Sequence, residues 1–394
     1  MALNNEPRAS VRDLYLATAA RAVSTIGNEV AVIALLLRLH DGGGDGWAVA
    51  ALLVAGTVPL VLLAPIAGML ADRYDSRSLI VGGSLAQAGL CGVLAFVEQP
   101  LIVLVLVAMN AAGSAVVGPT ITALVPALVP QGRLAMAMGL QEGSQLAAVL
   151  TGPALGGLLT GATGGATVPL LLNTGTFAVL AAAGALVQTR RRPSPSGGGI
   201  RPMAGILILG TDPVIRTVAI LLALLVLVGE AVTVAEVFLV RDTLGAGATA
   251  FGALTAAFMA GMIAGTVPAF ALKTTRRILA TIPLASFVMA AGLIGVGSIG
   301  ALAGVFVCYT VAGVGAGALN VAATTLVLGR TPDAVRGRVQ AALNGLLRSA
   351  GIGALGVGGI AVGIFAPETV FVLSGVAIAV AAAAALPLFR RIGE

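Results

Sequence analysis

Charge is scarce in this chain. Only 10% of its 394 residues are Asp, Glu, Lys or Arg, against roughly 25% in a soluble globular domain, which rules out a soluble fold. Aromatic residues make up 4% and do not interleave with basic ones, so there is no stacking platform for nucleic acid. The net charge of +6 therefore implies no nucleic-acid partner. One histidine, His40, and two cysteines, Cys91 and Cys308, are present. These are too few for a zinc site or a disulfide framework, and no metal or cofactor is expected. Both cysteines lie in apolar stretches and read as small packing residues. The single lysine, Lys273, is not part of a G-x-x-x-x-G-K-[ST] stretch, which excludes ATP hydrolysis by this chain. No nucleophile has a histidine base within the apolar stretches, so an enzyme is not expected.

Apolar sequence is what remains. The chain is 58% hydrophobic with a mean hydropathy of +1.05. A membrane-spanning helix takes ~20 mostly apolar residues. Dividing the chain at its charged and Gly/Pro-rich breaks gives twelve such segments, centred near Ser24, Val58, Gly89, Ala112, Ala148, Ala178, Val228, Ala260, Met289, Val314, Gly351 and Ala377. The first runs about 25 residues, too long for a cleaved leader. Of the 22 Lys and Arg residues, all but Arg21, Arg38, Arg241 and Arg348 fall in the two tails and in alternate short loops. Basic residues are retained on the cytoplasmic face, so both termini are expected inside, with an even number of spans. Trp47 opens span 2 at the outer interface, where an indole is favoured.

The longest polar interruption, Thr189 to Arg201, carries Arg190-Arg191-Arg192-Pro193 and Ser196-Gly197-Gly198-Gly199. It reads as a cytoplasmic linker. Met203 to Gly210 is apolar but too short to span, and is expected to lie along the inner interface. The division is thus a six-span bundle over 1–188, a linker with a lateral helix over 189–215, and a second six-span bundle over 216–394. The halves look like repeats. A shift of 202 residues sets Thr122 on Thr324, Leu124-Val125 on Leu326-Val327, Pro130 on Pro332, Gly143 on Gly345, and Gly156-Gly157 on Gly358-Gly359. Parallel six-span repeats are a transporter architecture.

Gly68-Met69-Leu70-Ala71-Asp72-Arg73-Tyr74-Asp75-Ser76-Arg77, after span 2, resembles the G-x-L-A-D-R-x-G-R-R signature of the major facilitator superfamily. Gly139 through Gly152-Pro153-Ala154-Leu155-Gly156-Gly157 resembles the span-5 antiporter motif of that superfamily's drug:proton exporters. Arg21 to Glu29, with Arg336-Gly337-Arg338-Val339, is most similar to the macrolide-efflux and siderophore-exporter branch. The resemblance covers the whole chain. It implies an all-α membrane protein of twelve transmembrane helices in two six-helix repeats, a monomer in a bacterial inner (plasma) membrane. Gly68, Asp72, Arg73 and Arg77 would form a cytoplasmic gate, the alternative being a plain solvated loop. The sequence departs from the signature at Asp75 and Ser76, and the repeat counterpart has Lys273 near the Asp72 position. Gly139, Gly152, Pro153, Gly156 and Gly157 would form a flexible seam between the halves, the alternative being ordinary tight packing.

Six ionisable residues fall inside spans: Arg21 and Glu29 in span 1, Glu142 in span 5, Glu230 and Glu236 in span 7, and Arg348 in span 11. A charge at the bilayer centre costs ~2.5–3.5 kcal/mol, so each is expected to face a cavity or a partner. Arg21 follows Arg12 by nine residues and Glu142 follows Arg133 by nine, which predicts an Arg21–Glu142 ion pair at similar depth, with Arg348 a further intramembrane cation. In the fold that the resemblance implies, spans 1 and 7 line a central cavity. Glu29 and Glu230 have no basic residue within a helical turn and are the foremost proton-coupling candidates. Glu236 ranks below them, being able to pair with Arg241. Asn28, Asn110, Gln141, Asn320 and Asn344 are candidate cavity contacts, the alternative being interhelical hydrogen bonding. The function expected is proton-coupled export of amphipathic or cationic drug-like compounds by alternating access, with export of lipid-like or siderophore substrates as the alternative.

Overall fold

The computed structural model describes residues 11–188, 212–269, 274–331 and 336–393. Among these there are helices and connections and no strand. An apolar chain in lipid must bond its own N–H and C=O groups, and the helix does this within each segment. The first half comprises α1 (Val11–Asp41), α2 (Gly46–Leu62), α3 (Ala64–Arg73), α4 (Ser76–Leu94), α5 (Pro100–Leu128), α6 (Leu134–Thr163) and α7 (Thr167–Leu186). The second comprises α8 (Pro213–Phe238), α9 (Ala248–Ala269), α10 (Thr275–Ser298), α11 (Leu302–Arg330), α12 (Arg336–Ile364) and α13 (Pro367–Gly393). The expected linker, its lateral helix and Lys273 lie outside the described residues.

Eleven helices among the described residues are long and apolar enough to cross a membrane. The remaining expected span is divided at Leu63 into α2 and α3. Two prolines, Pro59 and Pro65, each remove an amide N–H around that point, and a helix interrupted in this way kinks. The chain stays coiled through the break, with Leu63 N–H donating to Pro59 O at 3.0 Å and Ala67 N–H to Leu63 O at 2.7 Å. Asp75 caps α4, its Oδ2 accepting from Ser78 N–H at 3.4 Å. The acidic departure from the loop signature thus serves to start a helix.

The chain separates into two compact units, one of Met1–Gly42 with Leu52–Gly197 and the other of Gly43–Ala51 with Gly198–Glu394. In the first, Ala17, Ala20, Ile80, Leu124, Val125, Ala137 and Val187 are buried in one core. In the second, Ala219, Leu222, Ile282, Leu326, Val327, Val339 and Phe389 are buried in another. Each residue of the first set lies 202 positions before its counterpart in the second, so the sequence repeat is a repeat of packing.

The second unit has a helix seam that the first does not show to the same degree. Gly261 and Gly265 of α9 face the backbone of α11 at Thr310 and Val314, while Gly313 and Gly317 of α11 face the backbone of α9 at Phe258 and Met262. Both helices thus present Gly-x-x-x-Gly to each other, which lets two backbones touch in lipid. Gly315, on another side of α11, meets Ala285 and Met289 of α10. Asp212 caps α8, accepting from Val214 N–H at 2.8 Å and Ile215 N–H at 3.3 Å, and takes an ion pair from Arg330 Nε at 3.1 Å. Partial burial opposes its charge, but those donors and the guanidinium hold its carboxyl below the usual carboxylate range.

Candidate functional site

Polar side chains converge between α1, α5 and α6 of the first unit. Arg21 Nη1 donates to Thr122 Oγ1 at 2.6 Å and to the Gly118 carbonyl at 3.2 Å. Gln141 Nε2 donates to the same Thr122 hydroxyl at 3.1 Å. Thr25 Oγ1 donates to Gln145 Oε1 at 2.5 Å. The expected direct Arg21–Glu142 ion pair does not form. Gln141 turns inward to Thr122, so Glu142, one residue round the helix, is exposed and acts on Arg21 only through space. Arg348 is exposed on α12, and it makes no ion pair among the described residues.

A second polar group lies deeper along α1. Gln87 is 1% exposed; its Nε2 donates to Ser114 Oγ at 2.8 Å and to the Asn110 carbonyl at 3.2 Å. Asn173 Nδ2 donates to Asn28 Oδ1 at 3.3 Å. Asn28, Asn110 and Asn173 line a cleft of about 260 Å³, with Val32, Leu35, Leu60 and Val107 as its apolar wall. Arg21, Thr25, Gln87 and Gln145 line a neighbouring cleft of about 170 Å³. Of the five expected cavity contacts, Asn28 and Asn110 line these clefts, whereas Gln141 lines neither of them and is buried against Thr122, an interhelical hydrogen bond. Asn320 and Asn344 are exposed on helices of the second unit, with Asn344 Oδ1 accepting from Gln340 Nε2 at 3.2 Å.

Glu29 and Glu230 are half-buried, and among the described residues neither has a hydrogen bond or an ion pair. Each is set against a glycine. A methyl group on Gly152 of α6 would overlap the Glu29 side chain at Cβ, and one on Gly351 of α12 would stand 3.7 Å from Glu230 Oε1. Gly156 presses on Val30 in the first unit as Gly358 presses on Ala231 in the second. The two carboxylates therefore occupy neighbouring positions on corresponding helices. The contacts of Gly152 and Gly156 run to α1 of their own unit, whereas the resemblance implies a seam between the halves. Pro153 and Gly157 are buried alongside them, and Gly139 stands in open space. We expect Gly152→Ala to displace Glu29 and destabilise the protein by about 1–3 kcal/mol, while Gly139→Ala stays near wild type in thermal unfolding.

Glu236 is differently held. It is 3% exposed; Oε1 accepts from Thr255 Oγ1 at 2.7 Å and Oε2 from Tyr309 O–H at 2.9 Å. Hydroxyls on α9 and α11 thus occupy the two oxygens that were expected to turn toward Arg241. Tyr309 in turn packs between Phe258 and Phe371, with ring centroids 4.8 and 5.9 Å away. A five-residue π turn, Leu239–Thr243, follows at once. Arg73 is exposed and Arg77 half-buried; Gly68 and Asp72 lie on α3, and the Asp72 side chain is outside the described set. The expectations passed over Gln87, Gln145, Thr122 and Asn173. For Gln87, Gln145 and Asn173 the signal was available, since amides are rare in apolar spans and each of these three sits within a helix.

A profile of the Major Facilitator Superfamily matches residues 15–352. The chain belongs to that superfamily. Macrolide efflux protein A of Streptococcus pyogenes is 27% identical over 150 residues, 37% of each chain. The multi-drug resistance efflux pump PmrA of Streptococcus pneumoniae serotype 4 is 34% identical over 125 residues, 32% of this chain and 31% of that one. The match thus spans about a third of these relatives' length. A bacterial homolog to the human lysosomal transporter Spinster, solved inward-facing and occupied, has a TM-score of 0.77 at 14% identity, covering 96% of both chains. Such a likeness establishes the shared fold. This superfamily member is accordingly a multi-pass membrane protein.

Proposed function

We propose that the chain is a proton-coupled secondary exporter of amphipathic small molecules that works by alternating access. It would sit as a monomer in a bacterial inner membrane with both termini cytoplasmic, its bundles over 1–188 and 216–394 joined by residues 189–215. The observation that carries this is the placement of Glu29 and Glu230. Both are intramembrane carboxylates without a direct cationic partner among the described residues, on corresponding helices of two repeats. A structural carboxylate in lipid is normally paired, as the hydroxyl-bound Glu236 illustrates. A carboxyl left unpaired can take a proton from one side and release it when its surroundings open to water on the other. Glu236, with both oxygens committed, serves better as a clasp for α8, α9 and α11 than as the carrier.

The efflux functions named for the partial relatives support the outward direction, as does the Gly152-Pro153 motif. Asp72, Arg73 and Arg77 would close the cytoplasmic side. The test is flux of both partners. In everted vesicles carrying an internal pH-sensitive dye, a transported compound added outside should release protons from acidified vesicles. Compound uptake that leaves the dye unchanged would refute proton coupling.

A further inference from the structure

The two clefts of the first unit share Asn28 and Ser114 as lining residues, and together they form one trough with unlike ends. The larger end is walled by Val32, Leu35, Leu60, Leu94 and Val107. The smaller end holds Arg21, Gln87 and Gln145. Among the described residues Arg21 is anchored through Nη1, to Thr122 and Gly118, and no carboxylate pairs with it directly. Glu142 acts on it from a distance, and Glu29 is packed against Gly152 on α6 rather than lining either cleft. In the same cleft, Gln87 Oε1 and Gln145 Nε2 are buried with no hydrogen-bond partner among the described residues.

The internal repeat shows that the scaffold does not need these polar groups. At the 202-residue shift, Arg21 falls on Ala223, Gln87 on Met289, Asn110 on Ala312, Ser114 on Ala316 and Gln145 on Leu347. The same helix positions fold with apolar residues in the second unit. Polar side chains kept in the first unit, some with unsatisfied atoms, are there for something that binds between them.

We infer that this trough binds an amphiphile with an anionic, carboxylate-bearing head, the head at Arg21 and Gln145 and the apolar body along Val32, Leu60 and Val107. This deepens the export reading above and rests on it, and it selects the acidic class over the cationic one that the intramembrane glutamates alone suggest. A cationic head would sit beside a guanidinium that no carboxylate among the described residues neutralises directly. A carboxylate would instead receive the free donors of that guanidinium in a planar, charge-assisted pair.

Octanoate, octanol and octylammonium share one chain and differ in head charge. Their binding to the full protein in zwitterionic nanodiscs, with empty discs subtracted, reads the inference directly. We expect octanoate to bind at least about tenfold tighter than octylammonium, with octanol between them. Arg21→Gln should bring the three within about twofold of one another, Arg21→Lys should keep their order, and Val32→Trp should weaken octanoate and octanol alike. Equal or tighter binding of octylammonium, no binding of octanoate, or an octanoate preference that survives Arg21→Gln would overturn the inference. Should Arg21→Gln not fold, the wild-type series and Val32→Trp still decide. No gradient is involved, so octanoate binding without proton-linked transport would sink the export reading alone, and coupled transport without the preference would sink this inference alone.

Discussion

Replacing Glu29 and Glu230 together by glutamine abolishes proton-driven transport while the protein still inserts and unfolds at a wild-type temperature. Glutamine keeps the shape that packs against Gly152 and Gly351, so the helix contacts survive. What disappears is the titratable group at each place. Neither carboxylate has a hydrogen bond or ion pair among the described residues, so no buried partner is left stranded, and the stability cost stays within about 0.5 kcal/mol. Compound-dependent proton flux in the double variant should fall at least about tenfold, equivalent to about 1.4 kcal/mol of lost driving interaction. Each single variant shows which carboxyl carries the proton. If the double variant moves protons and compound at the wild-type ratio, the assignment of the coupling groups is wrong.

The largest stability effect is expected in the second unit, at the crossing of α9 and α11. A side chain on Gly265 or Gly317 would run into the backbone at Val314 or Met262 respectively. A rotamer change cannot relieve a clash with backbone, so the helices must separate. Their close approach is what holds them together in lipid, where no hydrophobic force drives one helix onto another. Gly265→Val and Gly317→Val should each destabilise by about 3 kcal/mol, the upper end of overpacking costs. Gly353→Ala, on α12 with open space around it, should leave unfolding in detergent unchanged. Equal stability of Gly317→Val and Gly353→Ala would show that the α9–α11 contact is not formed.

The span pattern was legible because lipid imposes it. Twelve apolar segments and a 202-residue repeat followed from hydropathy and glycine positions, and the repeat recurs in the buried cores, as with Ile80 and Ile282 or Ala137 and Val339. The division of one span at Leu63 also has a sequence cause in Pro59 and Pro65, although residue spacing alone does not say which proline breaks a helix. Side-chain direction was much less legible. Counting nine residues from two arginines placed Arg21 and Glu142 at one depth, but depth does not fix rotation about the helix axis. Gln141, one position earlier, took the inward place. Glu236 could not be assigned from its neighbours in sequence, because its partners Thr255 and Tyr309 lie 19 and 73 residues away. The Gly-x-x-x-Gly pairs of α9 and α11 were visible in the sequence, but 54 glycines hid which ones face each other.

The most direct measurement is compound movement by the purified protein in liposomes under an imposed pH difference. The account predicts that an amphipathic compound moves against the proton gradient, reverses direction when the gradient is reversed, and stops when a protonophore collapses it. Movement of the same rate and direction under all three conditions would contradict it.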